Sequence, residues 1–347
     1  PVSDLLVFVG DGSPNSIIKA HRFQPRLPKH INFDCINTDA LVHRIQVKNS
    51  KMVLPNGISY HVLYLKNTKQ IKWSTLQRIA ELANQGVVIV GNKPEALGGY
   101  AVTAADKAKF TSLVNTIWEQ PTTHLPKDWD TIFKAHHIPK DLYIEDGTAI
   151  NYIHRKTKTE DIYFFYNPEQ NAKSYSCTFN VTGKIPELWN QTTGEITKLA
   201  TYVEEDGKTK ALIHLPKEGS IFVVFREKSS GVRSVKPEAF KTQHHIKSYL
   251  SEENVLHFEV EKAGDYAVAL SDGTTVAISE KEVPKAIEIT GDWKVTFPDV
   301  KSDKKTYTFP KLIDWTSHAN EGIKYYSGTA LYSNTFRVQK SHLKKDI

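Results

Sequence analysis

Apolar positions in the first 145 residues come either as short unbroken runs or as helical stripes. Leu5–Val9 is an unbroken run that stops at Gly10-Asp11-Gly12, the pattern of a parallel strand buried on both faces. Thr38 is placed to cap a helix over Asp39–Ile45, in which Leu41 and Ile45 lie one turn apart. Met52–Leu54 and His61–Leu65 read as strands around the turn Pro55-Asn56-Gly57. Ser74 is placed to cap a helix over Thr75–Asn84, where Leu76, Ile79, Ala80 and Ala83 form one stripe and Gly86 follows as the C′ residue. Val87–Val90 reads as a second buried strand. Thr103 then caps a helix over Ala104–Trp118, with Phe110, Val114 and Ile117 on one face. This repeated β–α order predicts a flavodoxin-like α/β domain with a mainly parallel sheet over residues 1–147.

Near Ala149 the period falls to two. Strands are predicted at Ala149–His154, Asp161–Asn167, Ser174–Val181, Glu187–Trp189, Lys210–Leu215 and Ile221–Phe225, with turn residues between them. The pattern predicts an antiparallel β-sandwich over 148–230. Residues 231–285 read as a β-rich connecting module, with strands at Val255–Val260, Asp265–Leu270 and Thr274–Ile278. A last β module covers 286–347, with strands at Ala286–Val295, Thr306–Phe309, Lys324–Leu331 and Ser333–Val338.

A chain of 347 residues with 39% apolar and 10% aromatic residues has the composition of a folded protein of two or three domains. No apolar stretch approaches the roughly 18 residues of a membrane-spanning helix. The net charge of +6 is spread along the chain and leaves no nucleic-acid footprint. The small basic tail of Lys340, Lys344 and Lys345 reads as solvated surface. Two cysteines, Cys35 and Cys177, exclude both a disulfide framework and a CxxC metal site. The chain enters a strand soon after Pro1, with neither an initiator Met nor a signal peptide, and stops at Ile347 just after a strand-like run. Both ends read as cuts through a larger protein.

The usual chemistries of a parallel α/β domain are not written in this one. The first turn, Gly10-Asp11-Gly12-Ser13-Pro14-Asn15, lacks the third glycine of a dinucleotide loop and is broken by Pro14. No GxxxxGK[ST] occurs. The strand end Val90-Gly91-Asn92-Lys93 carries no Cys or Ser nucleophile, and Cys35 reads as a small core residue. Of the 14 histidines, His136-His137 and His244-His245 are adjacent pairs, and neighbours do not chelate as i,i+4 histidines do. The run Glu204-Glu205-Asp206-Gly207 leads into a hairpin turn and reads as surface. No catalytic residue, metal ligand or cofactor is therefore assigned. The β half is richer in rings: Trp189, Trp293, Trp315, Tyr325, Tyr326 and Tyr332. Rings of this kind either fill a sandwich core or stack on the C–H faces of sugars. Trp293, Trp315 and Tyr326 are the candidate carbohydrate-binding residues.

A series of phrases in order carries a family resemblance. They are Asp4–Phe8, Asp34–Leu41, Met52–Gly57, Tyr60–Leu65, Tyr152–Arg155, Asp161–Asn167, Ile185–Trp189, Gly219–Arg226 and Tyr326–Ala330. Together they resemble the C-terminal half of the glycoside hydrolase family 106 α-L-rhamnosidases, along nearly the whole chain. The resemblance implies a multidomain enzyme whose catalytic glutamates and calcium site lie in an upstream (β/α) barrel. It also implies a galactose-binding-like jelly roll near the C-terminus, of which 286–347 would be a part. The chain itself would then be an accessory portion, inactive alone. Its partners would be a rhamnose-containing glycan and the barrel of the same parent chain, in a periplasmic or secreted protein. A free-standing carbohydrate-binding protein is the alternative, and a flavodoxin-like cofactor enzyme the third reading.

Overall fold

The computed structural model describes residues 1–12, 17–19, 22–28, 31–66, 68–99, 101–145, 150–237, 245–283, 288–298 and 305–338. Ser13, Pro14 and Asn15 of the first turn, Ala149, His244, Ala286 and the basic tail lie outside the described residues. The chain is mostly β-strand with few helices, and it divides into two units, Pro1–Ser279 and Glu280–Ile347. No helix among the described residues is long and apolar enough to cross a membrane.

The first unit begins with a five-stranded parallel sheet. Its strands, in chain order, are Leu5–Phe8, Phe33–Ile36, Val62–Leu65, Val88–Gly91 and Thr123–His124. They lie side by side in the order 2-1-3-4-5, the winding of flavodoxin-like sheets. The first, third and fourth strands are buried at every position because both faces are covered. On one face, Leu6, Phe8, Leu63, Leu65 and Ile89 meet the helices Thr38–His43, Trp73–Asn84 and Ala104–Trp118. On the other, Leu5, Val7, Val62, Tyr64, Val88 and Val90 meet Ile18, Phe23, Leu27, Ile31 and a fourth helix, Trp129–Ala135.

Helix starts follow local chemistry in part. The expected cap at Thr103 forms, and with Asp106 it closes a full capping box. The first helix is instead capped by Asn37, whose side chain accepts from the Ala40 N–H, so Thr38 becomes a helical residue. Ser74 caps nothing. The helix starts at Trp73, and its end is tied from a distance: Asp11 accepts the Lys72 N–H at 2.8 Å and the Thr75 hydroxyl at 2.9 Å. Gly86 takes φ +82°, as an exit from that helix requires.

Among the described residues between 150 and 228 every regular element is a strand. A four-stranded antiparallel sheet runs in the order 142–144, 173–179, 208–215, 202–205. A seven-stranded antiparallel sheet runs in the order 151–156, 161–166, 220–228, 184–189, 196–199, 246–250, 256–260. The core between them holds Tyr163, Phe165, Tyr175, Phe179, Ile213, Val223 and Phe225. The sandwich thus draws one strand, Leu142–Ile144, from ahead of residue 148, and one hairpin from beyond residue 230. The hairpin strands 264–269 and 275–280 pair with each other, near a small cluster of Val235, Ile246, Val268 and Leu270.

The second unit holds a three-stranded antiparallel sheet in the order Lys305–Phe309, Trp293–Phe297, Leu331–Ser333. The expected strand over Lys324–Leu331 does not form. Asn320 accepts the Gly322 N–H and starts a one-turn helix over Glu321–Lys324, and pairing begins only at Leu331. Val295, Phe297, Phe309 and Ile323 form the buried centre of this unit.

Candidate functional site

Among the described residues, concave regions that carry chemistry lie in both units. In the second unit the strand Trp293–Phe297 lays Phe297 under a set of rings. Trp315 crosses Phe297 edge-on with centroids 5.2 Å apart, and Tyr326 does the same at 5.0 Å. Trp315 and Tyr326 are themselves 5.8 Å apart, and Trp315 lies parallel to Tyr332, to whose hydroxyl its indole N–H donates. Trp315 and Tyr326 line one shallow groove of about 330 Å³ with Asp314 and Lys324. Tyr326 also lines a larger cavity of about 690 Å³, with Tyr307, Asn320 and Tyr325. The Tyr326 hydroxyl donates to the Pro298 carbonyl at 2.7 Å, which fixes its ring as a wall of both. Trp293 lines neither; it packs edge-on against Tyr332, 6.4 Å away. All three candidate rings are half-buried. The structure therefore brings Trp315 and Tyr326 together and leaves Trp293 behind them. Tyr325, 71% exposed with the Lys324 ammonium over its ring, is the ring most open to a ligand, and no spacing rule marked it out.

In the first unit a cavity of about 700 Å³ opens beyond the carboxyl ends of the parallel strands. Its walls are Val9–Gly12, the loop of Lys66, Thr68, Lys69, Gln70, Ile71 and Lys72, and Gly98-Gly99. Main-chain bonds hold these loops: Glu95 and Ala96 N–H donate to the Lys69 carbonyl, and Gly98 N–H to that of Ile71. Asp11 is fully engaged, since Oδ1 accepts from the Thr38 and Thr75 hydroxyls and Oδ2 from the Lys72 N–H. Cys35, half-buried, is not in this cavity. Burial raises its thiol pKa, contrary to what a nucleophile needs.

Two histidine clusters sit away from both cavities. His154, 3% exposed, has Nδ1 2.9 Å from Asp141 and Nε2 3.3 Å from Asp161, and Asp161 also meets Lys156 and Lys184. Burial works to lower its pKa, but the hydrogen bonds and charges of Asp141 and Asp161 outweigh burial and raise it. His136 turns from its neighbour His137 to His124, with Nε2 atoms 2.6 Å apart, and burial lowers the pKa of both. At that distance one ring donates and the other accepts, so the accepting ring is neutral. No group of three His, Cys, Asp or Glu fit to hold a metal ion occurs among the described residues.

Comparison with known proteins places the chain in a family. Residues 1–204 match the glycoside hydrolase family 106 model, described as alpha-L-rhamnosidase. A protein from Formosa agariphila described as "Putative beta-glucuronidase" is 32% identical over 234 residues, which are 66% of this chain and 19% of that protein. The structure of a rhamnosidase from Novosphingobium sp. PP1Y superposes with a TM-score of 0.72 at 23% identity, over 97% of this chain and 29% of that one. This chain thus spans under a third of the length of either relative. The structural likeness establishes a rhamnosidase-like fold, and with the family match covering more than half of its length, the chain belongs to glycoside hydrolase family 106.

Proposed function

We propose that this chain is an accessory, non-catalytic portion of a carbohydrate-degrading glycoside hydrolase that cleaves terminal α-L-rhamnosyl bonds. The observation that carries the reading is the structural likeness to the rhamnosidase, which runs along 97% of this chain but through only 29% of the other. In this reading residues 1–147 are the flavodoxin-like domain, 148–230 the sandwich, 231–285 the connecting module and 286–347 part of a galactose-binding-like jelly roll. The first two pack against a catalytic barrel, and the groove beside Trp315 and Tyr326 holds a sugar ring by stacking. Glycoside cleavage needs an acid at the leaving oxygen and a second carboxylate opposite it, each worth roughly 10²–10⁴ in rate. Both belong to the barrel.

The test has two readouts. The purified chain is assayed with an aryl α-L-rhamnoside and, given the name of the Formosa relative, an aryl β-glucuronide, with and without calcium. Turnover of neither is expected. Turnover that vanishes on replacing one carboxylate of this chain would overturn the accessory role. Separately, a rhamnose-terminated oligosaccharide is titrated while tryptophan fluorescence is followed. Trp315→Phe and Tyr326→Ala should weaken binding; undiminished affinity in both would remove the sugar face from the second unit.

A further inference from the structure

In a doubly wound sheet the loops leaving two adjacent strands diverge where the winding reverses, and ligands of such folds collect in the crevice left between them. In this chain the reversal falls between Leu5–Phe8 and Val62–Leu65, which pair directly. The 700 Å³ cavity opens at that point, walled by the loops that follow those two strands. Its volume is that of a site for a small organic ligand. Its lining holds Lys66 and the exposed Lys69 and Lys72 against one carboxylate residue, Asp11. Both Asp11 oxygens are already engaged by the two helices that flank it. We infer that this crevice binds a sugar-sized ligand carrying an oxyanion, a carboxylate or a sulfate ester.

The position of the charge within the crevice follows from the loops. An anion seated on the Gly10-Asp11-Gly12 turn, where a nucleotide phosphate would sit, meets the Asp11 carboxylate. The loop that donates the Lys72 N–H to Asp11 also carries the exposed Lys69 and Lys72, whose charges offset that repulsion. The wall is pre-formed: residues Gln70–Ile71 pair with Ala96–Leu97, and the bonds from Glu95, Ala96 and Gly98 lock it in place. A fixed wall spares the ligand the cost of ordering a loop. The buried Thr68 and the glycines 98 and 99, which also line it, leave room for the body of the ligand. This inference is independent of the proposed accessory role, since it concerns a different unit from the Trp315 groove and would stand if the chain never met a rhamnoside.

Calorimetric titration of the whole chain tests it with four probes: galacturonate, a galactose sulfate, neutral galactose and inorganic sulfate. Saturable binding of at least one sugar anion is expected, tighter than that of galactose and weakened by added salt. Galacturonate binding alone identifies a carboxylate ligand, and galactose sulfate alone a sulfate ester. In the double variant Lys69→Gln/Lys72→Gln that affinity should fall roughly tenfold or more, as the loss of two charge-assisted contacts requires. Both lysines are exposed, so the variant is expected to keep its circular dichroism and melting temperature. Shifts of the Thr68, Gln70 and Gly98 amide resonances locate the ligand independently of affinity. Binding of neither sugar anion, or binding unchanged in the double variant, overturns the inference. So does inorganic sulfate binding as tightly as either sugar, which would mean an adventitious ion only.

Discussion

His154 and His136 are both part of tight pairs, yet they act on stability in opposite directions as pH changes. For His154 the folded pKa lies above the ordinary 6.5, because Asp141 and Asp161 outweigh burial. Its contribution is complete below about pH 6.5 and is lost as pH rises through the raised folded value. His124 and His136 have folded pKa values below 6.5, since burial disfavours their charged forms. Their contribution is complete above about pH 6.5 and is lost as pH falls from there toward the lowered values. Urea unfolding across pH 5–8 separates the two. His154→Gln should flatten the alkaline side of the stability profile, and His136→Gln the acid side. His154→Ala should also cost about 3 kcal/mol, because the buried Asp161 and the half-buried Asp141 lose the partner they share. A cost under about 1 kcal/mol would show that Lys156 and Lys184 carry the charge balance alone.

Helix ends show how far local sequence reaches. The Thr103–Asp106 box lies within one turn, so Thr103→Ala should lower stability by about 1 kcal/mol, read as a shift in the urea midpoint without a change in slope. The Trp73–Asn84 helix is tied instead by Asp11, 61 residues away from Lys72. Asp11→Ala leaves the buried Thr75 hydroxyl and the Lys72 N–H without their acceptor, a cost of roughly 1–3 kcal/mol. Ser74→Ala, by contrast, should be nearly silent. If Ser74→Ala proved the more costly of the two, the cap would be local after all. The Trp129–Ala135 helix escaped the periodic reading because seven residues give only two turns. Its signal was Asp128 followed by Trp129, Ile132 and Phe133 at one-turn spacing.

At the scale of the whole molecule, the apolar clusters follow the division into two units. Val295, Phe297, Phe309 and Ile323 gather rings from 293–332 only, while the parallel sheet and the sandwich bury residues before 280. A chain ending at Ser279 should therefore keep the near-ultraviolet circular dichroism of the sandwich core. Its main thermal transition should move by no more than about 3 °C. A larger drop would mean that the second unit supports the first.

The sequence alone determined many of the strands and the longer helices, because burial of one or both faces stamps a period on the chain. The unbroken runs Leu5–Val9 and Val87–Val90 read as buried strands, and Phe110, Val114 and Ile117 as one helix face. It also showed an ordered set of phrases shared with a hydrolase family. The tertiary structure alone decided which strand pairs with which. Nothing local places Leu142–Ile144 beside Lys173–Phe179, or carries the 246–260 hairpin onto the edge of the seven-stranded sheet. Nor could ring spacing separate Trp293 from Trp315 and Tyr326, since a half-buried ring has the same sequence signature whether it lines a groove or backs one. Period records how a residue is buried against its own element. Pairing, the meeting of Asp11 with Lys72 and Thr75, and the His124–His136 contact depend on chain closure beyond one element, which no local period records.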